Sequence, residues 1–520
     1  MTNRFFVYIS LLQDSLSSER VQTKHRKESY IMAYEMNKTY ALFSHGGAGR
    51  CLTVYGGTAN NNQNVCLLRK VGSSAQNWMI KAFGSNLKIV TGINQNYALN
   101  YYWSSGKGNP GNCDIYPQSG NDTDSSIVLE PVCCDVYRIK LKNYNLYLTA
   151  KGDSDSADVR WERRATASTW EEKELAPQLW RLSDLSAKGI RAPLIFAGYS
   201  EYTGTKKFTY GDGQLDGLGN ATEFVVCSGI YQGYFNANGE ATTALIEYMQ
   251  EAVSRAKSLY DKYHKQVWIG TPMIGAPTKQ SYNNYAVPLS SYDEIGRRMT
   301  YFVDNVITEC NRVGLNFNTC VKGFYMAEET VYDSPNGSYT AASHPQIKMF
   351  QTMSTYVAGK GKKMLWAPHW STENLLRVGH IVHKTNIFDY VLIQPGYYFC
   401  YGTSNGWEPN WAQNCEAVRR MVQSQRVQYQ GGGPVIAESS ITHSKTKIGC
   451  QMEIDGKYGT TSPNGYNYTT LYTHYKDVFS TDSGAFTKST ADFGFYFGAI
   501  KDDCGPNFGQ AKQQVNNFFA

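Results

Sequence analysis

Hydrophobic residues follow two different patterns along the chain. From Met36 to Leu182, short apolar runs recur about every 8–12 residues, and clusters of Gly, Asn and Ser separate them. None of these runs has the apolar spacing of an amphipathic helix. The pattern predicts an all-β sandwich or barrel for this first part of the chain.

After Asp184, apolar strand-like runs alternate with amphipathic helical segments. The strands are predicted at 193–197, 224–229, 267–271, 321–327, 364–367, 390–394, 434–438 and 493–498, and the helices at 241–264, 292–313, 344–357, 372–380 and 415–428. Eight strand–helix units favour a closed (β/α)8 barrel over an open doubly wound sheet. No Gly-rich phosphate-binding loop begins any of these helices, so we expect no cofactor.

A chain of 520 residues is too long for one hydrophobic core, and the patterns divide it into three segments. Residues 1–35 are predicted to be a flexible leader or a weak signal peptide, because Gln13 and Asp14 interrupt its apolar run and no small-residue cleavage site follows. Residues 36–183 form the predicted all-β domain, and residues 187–520 form the predicted barrel domain.

Composition narrows the class of ligand. The chain has 39 Tyr and 10 Trp but only 18% charged residues, with a net charge of +6 and no dense Lys/Arg run. Nucleic acid is therefore not an expected partner. A weakly charged, aromatic surface suits neutral sugars, whose C–H faces stack on rings. No apolar run reaches ~18 residues, so no membrane span is expected. The sequence leaves the oligomeric state open, and its 12 cysteines are compatible with disulfides or with free thiols.

An internal repeat refines the picture of the first domain. A Cys51-Leu-Thr-Val run precedes Gln76-Asn-Trp78, and a Leu146-Tyr-Leu-Thr run precedes Gln178-Leu-Trp180, with a degraded copy between them. This order resembles the ricin-type β-trefoil lectins, in which Gln-x-Trp closes each repeat and holds the core. In that family an Asp after the Cys-Leu pair usually contacts sugar. Thr53 and Thr149 stand at this position here, so the resemblance implies the fold and leaves sugar binding open.

Carboxylates end two of the predicted barrel strands, at the end of a (β/α)8 barrel where active sites lie. Glu328 and Glu329 end the fourth strand, and Glu438 ends the predicted seventh. Because side chains alternate along a strand, Glu329 shares a face with Gly323 and Tyr325, which favours an inward direction. We expect Glu329 to be a general acid/base and Glu438 a nucleophile, with Glu328 as an outer neighbour that raises the pKa of Glu329.

This placement resembles the superfamily of retaining glycosidases, which carry the acid/base after strand four and the nucleophile after strand seven. The segment Gly323-Phe-Tyr-Met-Ala-Glu-Glu329 is also similar to uncharacterised bacterial barrel families with a Gly-[Phe/Trp]-Tyr-x-x-x-Glu fourth strand. The superfamily's usual Asn before the acid is replaced by Glu328. The resemblance implies hydrolysis of a glycosidic bond with retention of configuration.

Other strand ends and loops supply expected substrate-binding side chains. These are Tyr199, Trp366, His369, Gln394, Tyr397 and Trp407. No metal is expected, since His380 and His383 share a helix face without a third ligand at suitable spacing.

The sequence thus predicts a glycoside hydrolase acting on an oligo- or polysaccharide, with an appended lectin-like domain, outside the cell, at its surface or on a virion. One alternative is a non-catalytic glycan-binding adhesin or a viral tail receptor-binding protein. Another is a lysin that degrades peptidoglycan with the same carboxylates.

Overall fold

The structure is a computed structural model in which Tyr34–Ala520 form one compact unit. It describes residues 34–44, 50–119, 122–133, 136–165, 176–186, 189–197, 216–228, 234, 241–273, 292–331, 344–369, 372–400, 411–427, 446–462, 465–481, 483–496 and 507–520. Residues 1–33 of the predicted leader lie outside these ranges.

Twelve antiparallel strands build the first domain, in three successive sets of four. They are β1 Thr39–Ser44, β2 Cys51–Val54, β3 Gln63–Leu68, β4 Trp78–Phe83, β5 Asn86–Thr91, β6 Tyr97–Tyr102, β7 Gly111–Pro117, β8 Ile127–Cys133, β9 Val136–Leu141, β10 Leu146–Ala150, β11 Ala157–Arg163 and β12 Trp180–Asp184. The first and last strands of each set pair in a ring, β1–β4–β5–β8–β9–β12 and back to β1. The middle strands of each set form hairpins, and β3, β7 and β11 pair with one another. A six-strand ring capped by three hairpins is the arrangement of a β-trefoil.

The Gln-x-Trp motifs hold the core of this domain together. Trp78 donates its indole N–H to the carbonyl of Leu52 at 2.9 Å, and Trp180 donates to Leu148 at 2.8 Å. Both rings are fully buried. Each indole therefore packs in the core while its one polar group is satisfied, as a buried Trp requires.

We expect Trp180→Ala to destabilise the trefoil by about 3–5 kcal/mol, because it leaves a large cavity and an unpaired Leu148 carbonyl. Trp103 is the matched control, since its ring is 42% exposed. Trp103→Ala should cost less than about 1 kcal/mol. Urea unfolding followed by tryptophan fluorescence measures both variants, and equal losses would contradict this account of the core.

Eight parallel strands form a closed barrel in the second domain. They are β13 Arg191–Ala197, β14 Glu223–Ser228, β15 Gln266–Gly270, β16 Val321–Met326, β17 Lys363–Trp366, β18 Tyr390–Ile393, β19 Lys447–Glu453 and β20 Phe493–Tyr496, and β20 pairs with β13. The helices are α1 Thr243–Tyr263, α2 Tyr292–Val313, α3 Phe317–Cys320, α4 Pro345–Gly359, α5 Thr372–Lys384, α6 Tyr397–Cys400, α7 Trp411–Ser424, α8 Tyr468–Ser480, α9 Ser483–Thr490 and α10 Phe508–Phe519. Helices follow each strand from β14 to β20. Within the described ranges, no helix is long and apolar enough to cross a membrane.

Side chains of β16 alternate between the barrel interior and the helix layer. The Phe324 ring lies 6.3 Å from that of Phe302 in α2, so Phe324 faces outward. Gly323 faces inward, where a Cβ would meet the Trp268 ring at 2.8 Å and the Lys363 carbonyl oxygen at 2.0 Å. Glycine at this position lets strands and interior side chains approach closely. The same alternation, continued past the strand, directs Glu329 inward.

The sequence prediction for the seventh barrel strand, 434–438, is wrong. The seventh strand of the closed barrel is Lys447–Glu453, and residues 434–438 lie outside the described part of the chain. Along β19, apolar residues alternate with the inward-facing residues Gly449 and Gln451. A Leu392 methyl packs against Gly449, and Gly494 packs against the Gln451 side chain. β19 therefore lacks the continuous apolar run on which the prediction of a strand at 434–438 depends. It ends in Glu453.

The trefoil contacts the barrel through the end of α7. Arg181, in β12, is buried and donates to the carbonyls of Val422 and Gln423 at 2.6 and 2.9 Å. A guanidinium at a helix C-terminus satisfies carbonyls that have no partner in the helix and interacts favourably with its dipole. This contact joins the two domains through two charge-assisted hydrogen bonds.

The cysteines whose side chains the structure describes are free and buried. They are Cys51, Cys66, Cys113, Cys227, Cys310, Cys320, Cys415 and Cys450.

Candidate active site at the barrel mouth

Glu329 lies just beyond β16 and is tied to the ends of the next two strands. Its backbone carbonyl accepts the His369 N–H at 3.0 Å, and its half-buried carboxylate is hydrogen-bonded by the Gln394 side chain. The Gln394 amide is fixed in turn, because it also donates to the Ala367 carbonyl at 2.7 Å. The ends of strands four, five and six thus hold this carboxylate at the mouth.

The pKa of Glu329 is raised to about 7, chiefly by burial and to a smaller extent by the negative charges of Glu328 and Glu453, while the hydrogen bond from Gln394 opposes the rise. Near neutral pH a large share of the Glu329 population therefore carries a proton. A carboxylic acid that holds its proton at neutral pH is suited to general acid catalysis.

Glu453 ends β19 and is the strand-seven carboxylate of this barrel. The side chain is almost fully buried, and its Oε2 accepts the Tyr398 backbone N–H at 3.0 Å and the Tyr475 hydroxyl at 3.2 Å. Hydrogen bonds of this kind favour the ionised form of a carboxylate. Glu453 and Glu329 are close enough for the charge of one to raise the pKa of the other. The site therefore pairs a carboxyl group that is partly protonated near neutral pH with a carboxylate held by two donors.

Cys227 forms an apolar wall beside Glu329. It is fully buried near the end of β14, and a Cβ on Gly270 would meet its Cβ at 2.6 Å. Burial, and to a smaller extent the charge of Glu329, raise the pKa of the Cys227 thiol well above its usual range. The thiol therefore stays protonated, and it adds to the desolvation of the site without acting as a nucleophile.

Three of the residues predicted to bind substrate lie at or beside this site. The Gln394 side chain is hydrogen-bonded to the Glu329 carboxylate, and the His369 backbone N–H donates to the Glu329 carbonyl. Burial lowers the pKa of His369, so its imidazole is neutral near pH 7. Tyr397 is almost fully buried, with its ring 5.3 Å from that of Tyr475. The Tyr397 ring therefore packs against Tyr475 inside the domain and does not line the site.

Trp366 does not face the mouth. Its ring is fully buried, stacks on Phe388 at 5.0 Å, and donates its N–H to the Glu328 carbonyl at 2.6 Å. A ring enclosed between the barrel and its helices cannot stack on a sugar, so the prediction that Trp366 binds substrate is wrong. The reason is strand parity, since Trp366 points outward at the end of β17.

Glu328 lies toward the helix layer, where Tyr292 of α2 is close enough to be affected by its charge. Its side chain is buried, and its charge contributes to raising the pKa of both Glu329 and Tyr292 of α2. The remaining predicted site residues, Tyr199, Trp407 and Glu438, lie outside the described residues.

We expect Glu328→Gln to shift the pH dependence of any reaction in which Glu329 is the acid. Such a reaction slows as the pH rises through the pKa of Glu329, which is about 7. Removing the nearby negative charge lowers this pKa, so the basic limb of kcat/KM should move to lower pH. Glu294→Gln, in an exposed ion pair on α2, is the control. A basic limb that stays in place or moves to higher pH would count against the arrangement.

Comparisons with known proteins concern only part of the chain. No protein-family model matches it, and no curated protein matches it. It is similar in structure to ThreeFoil, a designed 3-fold symmetric protein (20% identity, 28% of this chain, 98% of that chain, TM-score 0.25). It is also similar to the Macrolepiota procera ricin B-like lectin (14% identity, 29% of this chain, 97% of that chain, TM-score 0.23). A third similar structure is an exo-beta-1,3-galactanase from Clostridium thermocellum (19% identity, 28% of this chain, 30% of that chain, TM-score 0.24). Each likeness extends over less than a third of this chain.

Proposed function

We propose that the barrel is a (β/α)8 glycoside hydrolase that acts with retention of configuration. The observation that carries this proposal is the pair Glu329 and Glu453, of which the first follows the fourth strand and the second ends the seventh, and which interact electrostatically at the mouth. Retaining hydrolysis needs one protonated and one ionised carboxyl group. The two donors on Glu453 favour its ionised form, whereas burial and the neighbouring negative charges favour the protonated form of Glu329.

The reaction proceeds in two steps. In the first, Glu453 attacks the anomeric carbon, the bond from that carbon to the leaving oxygen breaks, and Glu329 gives its proton to that oxygen. In the second, Glu329 takes a proton from water, the water oxygen bonds to the anomeric carbon, and the bond to Glu453 breaks. Glu329 ends protonated and Glu453 ionised, as they began. No cofactor or metal takes part.

The proposed substrate is an oligo- or polysaccharide. The Gln394 amide and the neutral His369 ring supply uncharged groups for sugar hydroxyls, in a site whose buried thiol and tyrosine rings exclude water. Such polymers are found mainly outside cells, so the proposal includes action outside the cell, at its surface or on a virion.

A broad glycan panel tests the activity. The full-length protein is incubated with soluble polysaccharides and with intact peptidoglycan, reducing ends are measured, and the anomer first formed is read by proton NMR. We expect a product with the configuration of the substrate. Product only from peptidoglycan identifies the lysin, whereas an inverted product or no product from any glycan contradicts the proposed mechanism.

A second proposed function, glycan binding by the trefoil, rests on its middle repeat. Thr53 and Thr149 are buried and accept hydrogen bonds from Gln76 and Gln178, so both serve the fold. In the middle repeat Asn100 instead donates to Asp114 at 2.8 Å. Tyr102 and Tyr116, exposed by 49% and 41%, share the face of the β6–β7 hairpin that carries this pair. These exposed rings are suited to stacking on sugars, whereas the Asn100–Asp114 pair is itself buried and joins the two strands of the hairpin.

The inactive variant Glu453→Gln separates binding from hydrolysis. Full-length variant applied to a glycan array should be retained on some glycans without cleaving them. Retention together with wild-type hydrolysis supports an enzyme with a binding domain, and retention without any wild-type hydrolysis supports the adhesin. No retention on any glycan contradicts sugar binding by the trefoil.

A further inference from the structure

One tyrosine hydroxyl links β19, which carries Glu453, to the helices α6 and α8. Tyr475, in α8, donates to Oε2 of Glu453 at 3.2 Å and accepts the Tyr397 backbone N–H, from the start of α6, at 3.1 Å. The Tyr398 N–H donates to the same Oε2 at 3.0 Å. Two donors, one of them a side chain, therefore converge on a single oxygen of the carboxylate.

The Tyr475 hydroxyl remains a donor over the working pH range. The side chain is fully buried, and burial together with the charge of Glu453 raises the pKa of Tyr475 well above its usual range. Because the Tyr397 N–H already occupies an acceptor position on this hydroxyl, its proton is directed to Glu453. A hydrogen bond received from an N–H also polarises the O–H bond and strengthens its donation.

We propose that Tyr475 is a positioning residue that fixes Oε2 of Glu453 and stabilises this carboxylate as it leaves the sugar in the second step of hydrolysis. This inference rests on the proposed function. It adds a residue of α8 to the reaction, and it assigns that residue to one of the two steps.

The charge on Glu453 changes in opposite directions in the two steps. In the first step the carboxylate gives up negative charge as its bond to the anomeric carbon forms, so a donor on Oε2 stabilises the starting state at least as much as the transition state. In the second step that bond breaks and the charge returns, so the same donor stabilises the transition state relative to the neutral ester. Loss of the Tyr475 hydroxyl should therefore slow the second step selectively.

Tyr475→Phe tests the inference, and Tyr472→Phe is its matched control. Tyr472 is a buried tyrosine of the same helix, but its hydroxyl donates to the Gln514 carbonyl, away from Glu453. The substrate is the 4-nitrophenyl glycoside of the sugar that the wild type releases from the panel. With a good leaving group, kcat reports release of the sugar from the enzyme, and kcat/KM reports its attachment.

For Tyr475→Phe we expect kcat to fall by about 10-fold or more, KM to fall in parallel, and kcat/KM to change by less than about 3-fold. A burst of 4-nitrophenol equal to the enzyme concentration should accompany this change. Tyr472→Phe should leave both kinetic parameters within about 2-fold of the wild type. Melting temperatures of both variants identify any loss of folded protein.

The outcomes separate the inference from the proposed function. If the wild type hydrolyses the substrate and Tyr475→Phe behaves like Tyr472→Phe, the inference alone is overturned. A fall in kcat/KM as large as the fall in kcat, without a burst, also overturns it, because the hydroxyl then acts on the first step. If the wild type hydrolyses no glycan, the proposed function fails and the inference fails with it.

Discussion

Glu453→Gln should reduce hydrolysis by about 10⁴-fold or more, since the reaction loses the group that forms the covalent bond to the sugar. Glutamine keeps the size of the side chain, and its amide oxygen can still accept from Tyr398 and Tyr475. The loss therefore reports chemistry and not collapse of the mouth. Initial rates on the best glycan of the panel, at the pH of maximal activity, measure it.

Glu438→Gln, compared with Glu453→Gln, tests which of the two carboxylates is the nucleophile. The sequence favours Glu438 as the nucleophile, whereas Glu453 ends the seventh strand of the barrel. We expect Glu438→Gln to retain activity within about 10-fold of the wild type. The reverse result, an inactive Glu438→Gln and an active Glu453→Gln, would contradict the assignment made from the barrel.

Glu329→Gln should have an effect that depends on the leaving group. Loss of the general acid costs about 10²–10⁴-fold when the departing oxygen needs a proton. For aryl glycosides with an acidic phenol the first step needs no proton, so its rate should fall far less. The measurement is kcat/KM for a series of aryl glycosides whose phenols span a range of pKa values.

The pH dependence supplies a second observation on the same variant. In the wild type the rate should fall as the pH rises through the pKa of Glu329, about 7, because the proton needed by the leaving oxygen is lost. Glutamine does not titrate, so this basic limb should disappear in Glu329→Gln. An equal loss for all leaving groups, with the basic limb intact, would show that another residue is the acid.

Seven of the eight barrel strands could be predicted from local pattern, because each combines an apolar run with a following turn or helix. The inward direction of Glu329 could also be predicted, since alternation along β16 depends only on neighbours in the sequence. The seventh strand could not, because Gly449 and Gln451 face the interior and interrupt its apolar run. A search for period-2 alternation ending in an acid would have found Glu453.

Contacts between distant segments account for the other features of the structure that the sequence did not predict. Thr53 and Thr149 differ from the sugar-binding Asp of the resembling lectins, but only the structure shows that Gln76 and Gln178 bond to them. Likewise, nothing in the spacing of Tyr475 from Glu453 indicates that a helix returns the hydroxyl to the carboxylate. Such pairs depend on how helices pack on the barrel, which a local pattern does not encode.

Trapping the covalent intermediate identifies the nucleophile of the barrel. Full-length protein is incubated with a 2-deoxy-2-fluoro glycoside of the released sugar, digested with trypsin, and the labelled peptide is sequenced by mass spectrometry. Cleavage after Lys and Arg separates the two candidates, since Glu453 falls in peptide 448–457 and Glu438 in peptide 427–445. We expect one sugar, carried by Glu453. A sugar on Glu438 or on any other residue would contradict this expectation.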